Sequence, residues 1–574
     1  MTNWTAPLQV QIVTRSVSEG GTSHDFTAYT SGCLERVAGR ASLANASGYF
    51  ALPVVRLRRR RRGFVIVIVT VVILLVSLAA YGFLSLMQVE NQAARARGDQ
   101  VQAEAVGFSG REYLAAILES PRSERPTGVE QDDAAETFGG ILVDGDPDGR
   151  DVEERQGRFA VLAPDAAEMA SRTWRFGYEN ESAKLHLAML LQWDRQQPGA
   201  GRNALMSLDD MDESTADAIL DWIDADDAPR DLGAESDYYS GLDHPVRPRN
   251  AVPPSLDELL LVRGVTREKL FGLDRNASFD TDDWETELDS TETAPGSSLP
   301  RGTVPSGDGQ IPWCRCLTAY SGERDESFEG QKRILLNQSD LGALHRELST
   351  ALESSWANFI VAYRQYGPHS GSEAGTEAAS LVVDLSQPPQ HNIQSPLELV
   401  AARVAIPTGE KDKKQVFASP FTDDPGQMRD YLPKLLDQVT ARSGAPIVGR
   451  VNINLAEREV LAAIPGFDTA LAERVISART LVASDDPARH HAVWLLTEGV
   501  VDRQQMRQFE PWVTTGGDVG RAQIIGFYDL RSPFARFETV VDGTAEPARQ
   551  VYYKDLRRLG RGVLGDVISV TGTP

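Results

Sequence analysis

The chain has 574 residues, 41% hydrophobic and 24% charged, with a formal net charge of -24. The charge is unevenly spread: residues 1–63 hold 9 arginines against 3 acids, which leaves 49 basic and 79 acidic residues in the remainder. A chain of this length has room for roughly two to four domains, and so large an acidic excess repels polyanions and argues against nucleic acid as the main partner.

The first predicted element is an apolar helix entered from a basic block, "RLRRRRRGFVIVIVTVVILLVSL", Arg56 to Leu78. From Phe64 to Gln88 no residue is charged. About 24 residues at 1.5 Å each cover about 36 Å, enough to span a bilayer. A secretory signal has an apolar core of only about 7–15 residues, so this run is too long for one. Arg58, Arg59, Arg60, Arg61 and Arg62 place the N-terminal side in the cytoplasm by the positive-inside rule, and the bulk of the chain beyond the inner membrane. The span then continues through the alanines at 93, 94, 96, 103 and 105, with no proline until Pro121. One helix follows, with a transmembrane half over 64–88 and a second half over 89–120. Residues 1–63 read as a cytoplasmic leader; its length also fits a start codon placed too early.

A basic stretch, a glycine and a phenylalanine at the head of such a helix resemble a type IV prepilin or a type II secretion pseudopilin. The resemblance implies cleavage after Gly63 by the prepilin peptidase and methylation of the new terminus at Phe64. Most members carry glutamate at the fifth mature position, where this chain has Ile68. A carboxylate in hydrocarbon needs a partner. In a pilus that partner is the amine of the neighbouring subunit, so a subunit at the tip is the one expected to lack the glutamate.

Residues 121–181 read as strands: "ILV" and "FAVLA" form a hairpin, and Trp174, Phe176 and Tyr178 alternate. Residues 182–273 are helical, with Ala216, Ile219, Leu220 and Ile223 predicted on one helix face and a capping box at Ser255 and Glu258. Residues 274–310 are rich in Asp, Thr, Ser, Pro and Gly, and read as a flexible loop. A further helical region over 311–448 holds Cys314 and Cys316, whose spacing allows two incidental thiols or a local disulfide, since nothing completes a four-ligand metal site. Residues 449–516 read as a helix-hairpin-helix unit and 517–560 as three antiparallel strands with Asp542-Gly543 as a turn. Residues 561–574 are left as a tail. The openings "KLHLAMLL" at Lys184, "RILLNQSDLGAL" at Arg333 and "RVNINLAEREVLAAIPGF" at Arg450 suggest two or three copies of one unit. The fold class is α+β: a long N-terminal helix on a small antiparallel sheet, with a large inserted helical domain.

The hairpin Pro465-Gly466-Phe467-Asp468 carries aspartate where a phosphate-binding turn needs its second glycine, which disfavours DNA. An acidic segment over 221–237 concentrates Asp221, Asp224, Asp226, Asp227, Asp231, Glu235 and Asp237, hard oxygen ligands of the kind calcium requires, though an acidic surface loop explains it as well. Asp144, Asp146 and Asp148 begin like an EF-hand, but Arg155 stands at the twelfth position. Neither a catalytic motif nor a spaced histidine set emerges, so no enzymatic activity is expected.

Three blocks in order, "DAILDWIDADDAPR", "GAESDYYSGLDHPVRPRNA" and "SLDELLLVRGVTREKLFGL", resemble the minor pseudopilin K family of type II secretion systems. The likeness covers roughly 56–273 and 449–560. It implies a pilin-like helix and sheet with an inserted helical domain, assembly with the minor pseudopilins I and J at a periplasmic pseudopilus tip, and calcium sites, carried here onto Asp224, Asp226, Glu235 and Asp237. Two other readings remain open at this point: a membrane-anchored helix-hairpin-helix DNA receptor, and a minor tip pilin of a type IV pilus.

Overall fold

The computed structural model describes residues 64–126, 131–143, 156–165, 173–282, 284–285, 311–371, 375–408, 413–444, 446–480 and 487–571. The chain divides into one unit up to Phe83 and a second from Leu84 onward. In the first unit, Phe64 to Phe83 are helical and their apolar side chains are exposed throughout, as expected of a segment that meets lipid rather than protein. Among the described residues one helix, α1 (Phe64–Glu119), is long and apolar enough to cross a membrane.

In the second unit α1 buries Ala103, Val106, Gly107, Gly110, Leu114 and Leu118. Their spacing of three and four places them on one face. Two glycines set how closely that face meets the sheet beneath it. A Cβ at Gly110 would lie 2.8 Å from the Phe159 ring, and one at Gly526, in the sheet, would lie 2.5 Å from both Ala103 O and Gly107 N. Helix backbone therefore rests directly on strand backbone.

The sheet begins with β1 (Ile141–Val143), β2 (Gly157–Pro164), β3 (Trp174–Phe176) and β4 (Glu179–Asn180). Then the chain leaves it. Three segments of the departing chain each close on themselves through a short parallel strand pair. Strand β5 (Leu185–His186) pairs with β6 (Leu317–Thr318), β7 (Ile334–Leu335) with β11 (Val439–Thr440), and β12 (Val451–Asn452) with β13 (Val513–Thr514). Between β7 and β11 lies a small sheet of β8 (Thr376–Glu377), β9 (Arg403–Pro407) and β10 (Lys414–Ala418). The three openings are those whose sequences look alike, and each follows a basic residue paired with an acid: Lys184 with Glu181 at 3.0 Å, Arg333 with Asp325 at 3.5 Å, Arg450 with Glu323 at 2.8 Å.

The chain rejoins the sheet as β14 (Val519–Phe527), β15 (Ala535–Asp542) and β16 (Arg549–Asp555). The strand order is β1-β2-β14-β15-β16, antiparallel throughout, with β3 added to β2 and β4 to β14. Asn180 is the partner of Gly520, so the chain departs and returns at one point of the sheet. Phe159, Val161, Ile524 and Phe537 join Leu114 of α1 in one core, while the inserted segment has its own larger core around Trp193, Trp222, Trp313 and Trp494.

Several expectations change. The helix Glu213–Ile223 is buried at every position from Thr215 to Ile223, because neighbouring helices enclose it, so no single apolar face exists. Ser255 does cap, accepting from the Asp257 N–H, but Glu258 turns away to Trp222 Nε1 and Arg249 in place of completing a box. The start of the predicted loop is packed: Asp274 accepts the N–H groups of Ser278 and Phe279, and the Ala277 carbonyl accepts from Gln523 Nε2 at 2.9 Å on β14 and from the buried Arg536. The predicted tail contains a helix, Leu564–Thr571, that buries Leu564, Val567 and Ile568 against the sheet core. Gly63, Arg58 to Arg62, the Asp144–Asp148 segment and residues 286–310 lie outside the described residues.

Candidate functional site

Two ionic clusters stand out in the second unit. The first joins the end of α1 to the inserted segment and the sheet. Asp518, one residue before β14, accepts from Arg125 Nη2 at 2.6 Å on one oxygen, and from Arg122 Nη2 and the Arg324 N–H on the other. Glu323 accepts from Arg450 at 2.8 Å on one oxygen and from Arg122 and Thr514 on the other. Both carboxylates are almost fully buried. Burial raises the Asp518 carboxyl, but Arg122, Arg125 and Arg324 outweigh it and leave it below its usual range. A second buried set stands beside it where the chain leaves the sheet. There Glu181 meets Lys184, Arg521 and Thr318; the two cations, helped by the Thr318 hydroxyl, overcome burial and hold its carboxyl down to about 2.

The other cluster is the acidic segment, and it is built differently. The helix Glu213–Ile223 ends at Asp224, and the exposed turn 225–229 returns the chain so that Arg230 faces the helix end. The Arg230 guanidinium meets Asp221 at 2.7 Å, Asp224 at 2.5 Å and Asp194 at 3.4 Å. Gly233 passes so close that a Cβ there would lie 1.8 Å from Asp221 Oδ2. Glu235 is 4% exposed, yet neither of its carboxylate oxygens has a hydrogen-bond partner, and Asp224 Oδ1 has none either. Burial, then the charges of Asp221, Asp224 and Asp227, push the Glu235 carboxyl up to about 7, a rise that the nearby Ser236 N–H only partly offsets. Burial likewise raises Asp221 and Asp224 despite Arg230.

Of the four predicted ligands, the structure brings Asp224 and Glu235 into this nest. Asp226 is exposed in the turn, where its carboxylate accepts the Ala228 N–H, and Asp237 is exposed on the short helix Ser236–Ser240. Asp221, visible among the acids of the segment, is outside the predicted four-ligand set, and sequence reading missed Arg230. The arginine alone among the acids of "DWIDADDAPRD" was the signal. Among the described residues, no group of three or more His, Cys, Asp or Glu side chains is placed so that it could hold a metal ion.

The remaining candidates have structural roles. Asp468 accepts the Leu471 N–H at 2.7 Å at the head of the helix Thr469–Thr480, and Phe467 packs on Phe509 at 4.5 Å, so the 465–468 turn serves the core. Cys314 and Cys316 are free thiols; burial pushes both up, Cys314 to about 11. His490 stacks on Phe328 and His491 pairs with Asp437 at 3.4 Å. Trp222 packs edge-on against the buried Tyr239, 5.1 Å away. A cleft of about 1250 Å³ separates the sheet face from the inserted segment and is lined by Leu162, Leu256, Phe271, Tyr320 and Tyr552 among others. Phe64 opens α1, and Ile68 lies on its exposed apolar surface.

The family model for type II secretion system (T2SS) protein K matches residues 188–276, the part that holds the acidic nest and all three resembling blocks. No curated protein matches the chain. Among solved structures, the GspK-GspI-GspJ complex from the enterotoxigenic Escherichia coli type 2 secretion system is similar at 10% identity and a TM-score of 0.33, covering 81% of this chain and 99% of the other.

Proposed function

We propose that this chain, which carries a type II secretion protein K domain over 188–276, is a minor pseudopilin that caps the tip of a periplasmic pseudopilus. The observation that carries the reading is where that domain sits. It is inserted between neighbouring strands of a sheet on which a long, membrane-length helix lies. The helix supplies a filament stalk, and the inserted segment is too bulky to be stacked beneath another subunit. The role is assembly, without catalysis.

Processing follows from the same reading. The prepilin peptidase cuts between Gly63 and Phe64, Phe64 is methylated, and Ile68 leaves the tip helix without the glutamate that a neighbour's amine would have to meet. The mature protein is anchored in the inner membrane by α1, with its bulk in the periplasm. Its partners are the minor pseudopilins I and J of the same secretion system. The pilus and DNA-receptor alternatives are not favoured by the family match. Co-purification of the full-length protein with minor pseudopilins I and J tests assembly; a lone monomer unaffected by them removes the proposal. N-terminal sequencing that returns methyl-Phe64 supports the processing, and an intact Met1 refutes it.

Calcium is the cation that the resemblance implies. Three buried carboxylate oxygens without partners, two on Glu235 and one on Asp224, are donors of the type a hard cation takes. Arg230 stands between Asp221 and Asp224, however, and no group of three or more such side chains among the described residues could hold a metal ion, so these residues do not fit calcium as they are placed.

A further inference from the structure

Beside the seam at Glu323 lies a small cavity of about 70 Å³ with a largely cationic wall. Four arginines line it, Arg122, Arg333, Arg442 and Arg450, together with His490 and His491. Glu510 is the one acid in that wall among the described residues. The lining side chains come from separate stretches of chain. Arg122 follows α1, and Arg442 lies just beyond β11. Arg333 and Arg450 immediately precede β7 and β12, and are two of the three basic residues that open the look-alike segments. The histidines belong to the segment that β12 and β13 close.

Carboxylates hold these arginines from outside the cavity, and incompletely. Glu323 takes Arg122 and one nitrogen of Arg450, but neither it nor Asp518 is part of the wall. Arg450 Nη2 donates to the Glu510 carbonyl at 3.0 Å, and its Nε is buried without a hydrogen-bond partner. Arg333, its side chain 11% exposed, reaches Asp325 only at 3.5 Å and the Asp437 carbonyl at 3.3 Å. Burial lowers the Arg333 guanidinium from its usual range, and Arg122 and Arg450 lower it further against the opposing pull of Glu323 and Asp325. Arg442 is exposed at the open side and donates to a backbone carbonyl, that of Pro511 at 3.3 Å, rather than to a carboxylate. His491 is occupied by Asp437 at 3.4 Å.

Cations crowded together away from water need an anion, and buried N–H donors are rarely left bare. A cavity of about 70 Å³ has room for about five waters, the number of heavy atoms in a tetrahedral oxyanion. Guanidinium forks match the oxygens of such an ion. We propose that this cavity binds phosphate or sulfate between Arg333, Arg442 and Arg450, and that the bound anion ties the openings of two inserted segments to the end of α1. The ion gives Arg450 Nε an acceptor and supplies the negative charge that the wall lacks. The site does not depend on the assembly proposal.

The test is a calorimetric titration of the full-length protein in detergent with inorganic phosphate at constant ionic strength. It compares wild type, Arg442→Gln, Arg333→Gln and, as a control far down the exposed part of α1, Arg95→Gln. Wild type should bind one phosphate saturably and gain melting temperature with it. Arg442→Gln and Arg333→Gln should each weaken binding about tenfold, the loss of one charge-assisted contact, while Arg95→Gln binds like wild type. Absence of saturable binding by wild type overturns the proposal, and so does an affinity unchanged in both cavity variants. A stabilisation that grows without saturating and is equal in all four proteins is the exclusion effect of a kosmotropic salt, and also overturns it. Arg442 is exposed and outside the core, so its variant keeps the test decisive should Arg333→Gln fail to fold.

Discussion

The two ionic clusters use the same residue types to opposite ends. In the seam at Asp518 and Glu323 every carboxylate oxygen has a partner, and cations outnumber acids. In the nest one arginine serves Asp194, Asp221 and Asp224, Glu235 has no partner, and three oxygens of Glu235 and Asp224 are bare. A buried charge cluster that is complete fixes how elements join; one that is incomplete leaves desolvated oxygens that cost stability. Burial alone does not separate them, since Asp518, Asp221 and Glu235 are all nearly inaccessible. The count of unmet oxygens does.

Breaking the complete cluster should have the largest effect. Asp518→Ala leaves Arg122 and Arg125 without their shared carboxylate and should cost about 3–5 kcal/mol, read as a lower urea midpoint of the full-length protein. Next comes the contact the seam secures: Gly526→Val drives side-chain atoms into the backbone of Ala103 and Gly107 and should cost about 1–3 kcal/mol or more. If it melts like wild type, the helix is not held on the sheet as described. Asp212→Ala removes the N-cap of the helix that ends in the nest, where Asp212 accepts the Thr215 N–H at 3.0 Å, and should cost about 1 kcal/mol. A melting temperature unchanged by this variant, with and without calcium, would detach the nest from its helix.

The smallest effect sharpens the comparison most, because its sign reverses. Glu181, held down to about 2, stabilises the fold above its unfolded pKa of about 4.3, and that stability is lost as pH falls toward 2. Glu235, pushed up to about 7, binds its proton more tightly when folded, so the fold loses stability as pH rises from the unfolded value toward 7. Glu235→Gln should therefore slightly raise the melting temperature at pH 8 in the absence of calcium and flatten its slope between pH 5 and 7. A melting curve as steep as the wild type's in that window would mean that Glu235 is satisfied after all.

Sequence alone carried the local structure well. The alternation at Trp174 and Phe176, the apolar strands near 159–163 and 522–541, and the unbroken helix from Phe64 to Glu119 all follow from period and composition. What it could not carry is long-range partnership. Arg122 and Asp518 are 396 positions apart, and no pattern joins them. The packing of Asn276 and Ala277 on Arg536 was hidden by a composition that reads as loop, because backbone carbonyls and not apolar side chains make the contact. In the nest the acids were visible, but which of them turn inward depends on the turn at 225–229 and the close passage of Gly233.

The meeting of Asn180 and Gly520 in the sheet has one more consequence. Since the excursion begins and ends on the same rung, its contour length is free to vary without straining the strands on either side. The three parallel closures repeat this arrangement within the excursion, each segment returning to its own starting point. Lengthening one segment therefore adds bulk to the inserted part and leaves the helix and sheet as they were. The middle segment, closed between Ile334 and Val439, is long and carries a small sheet of its own without disturbing that closure.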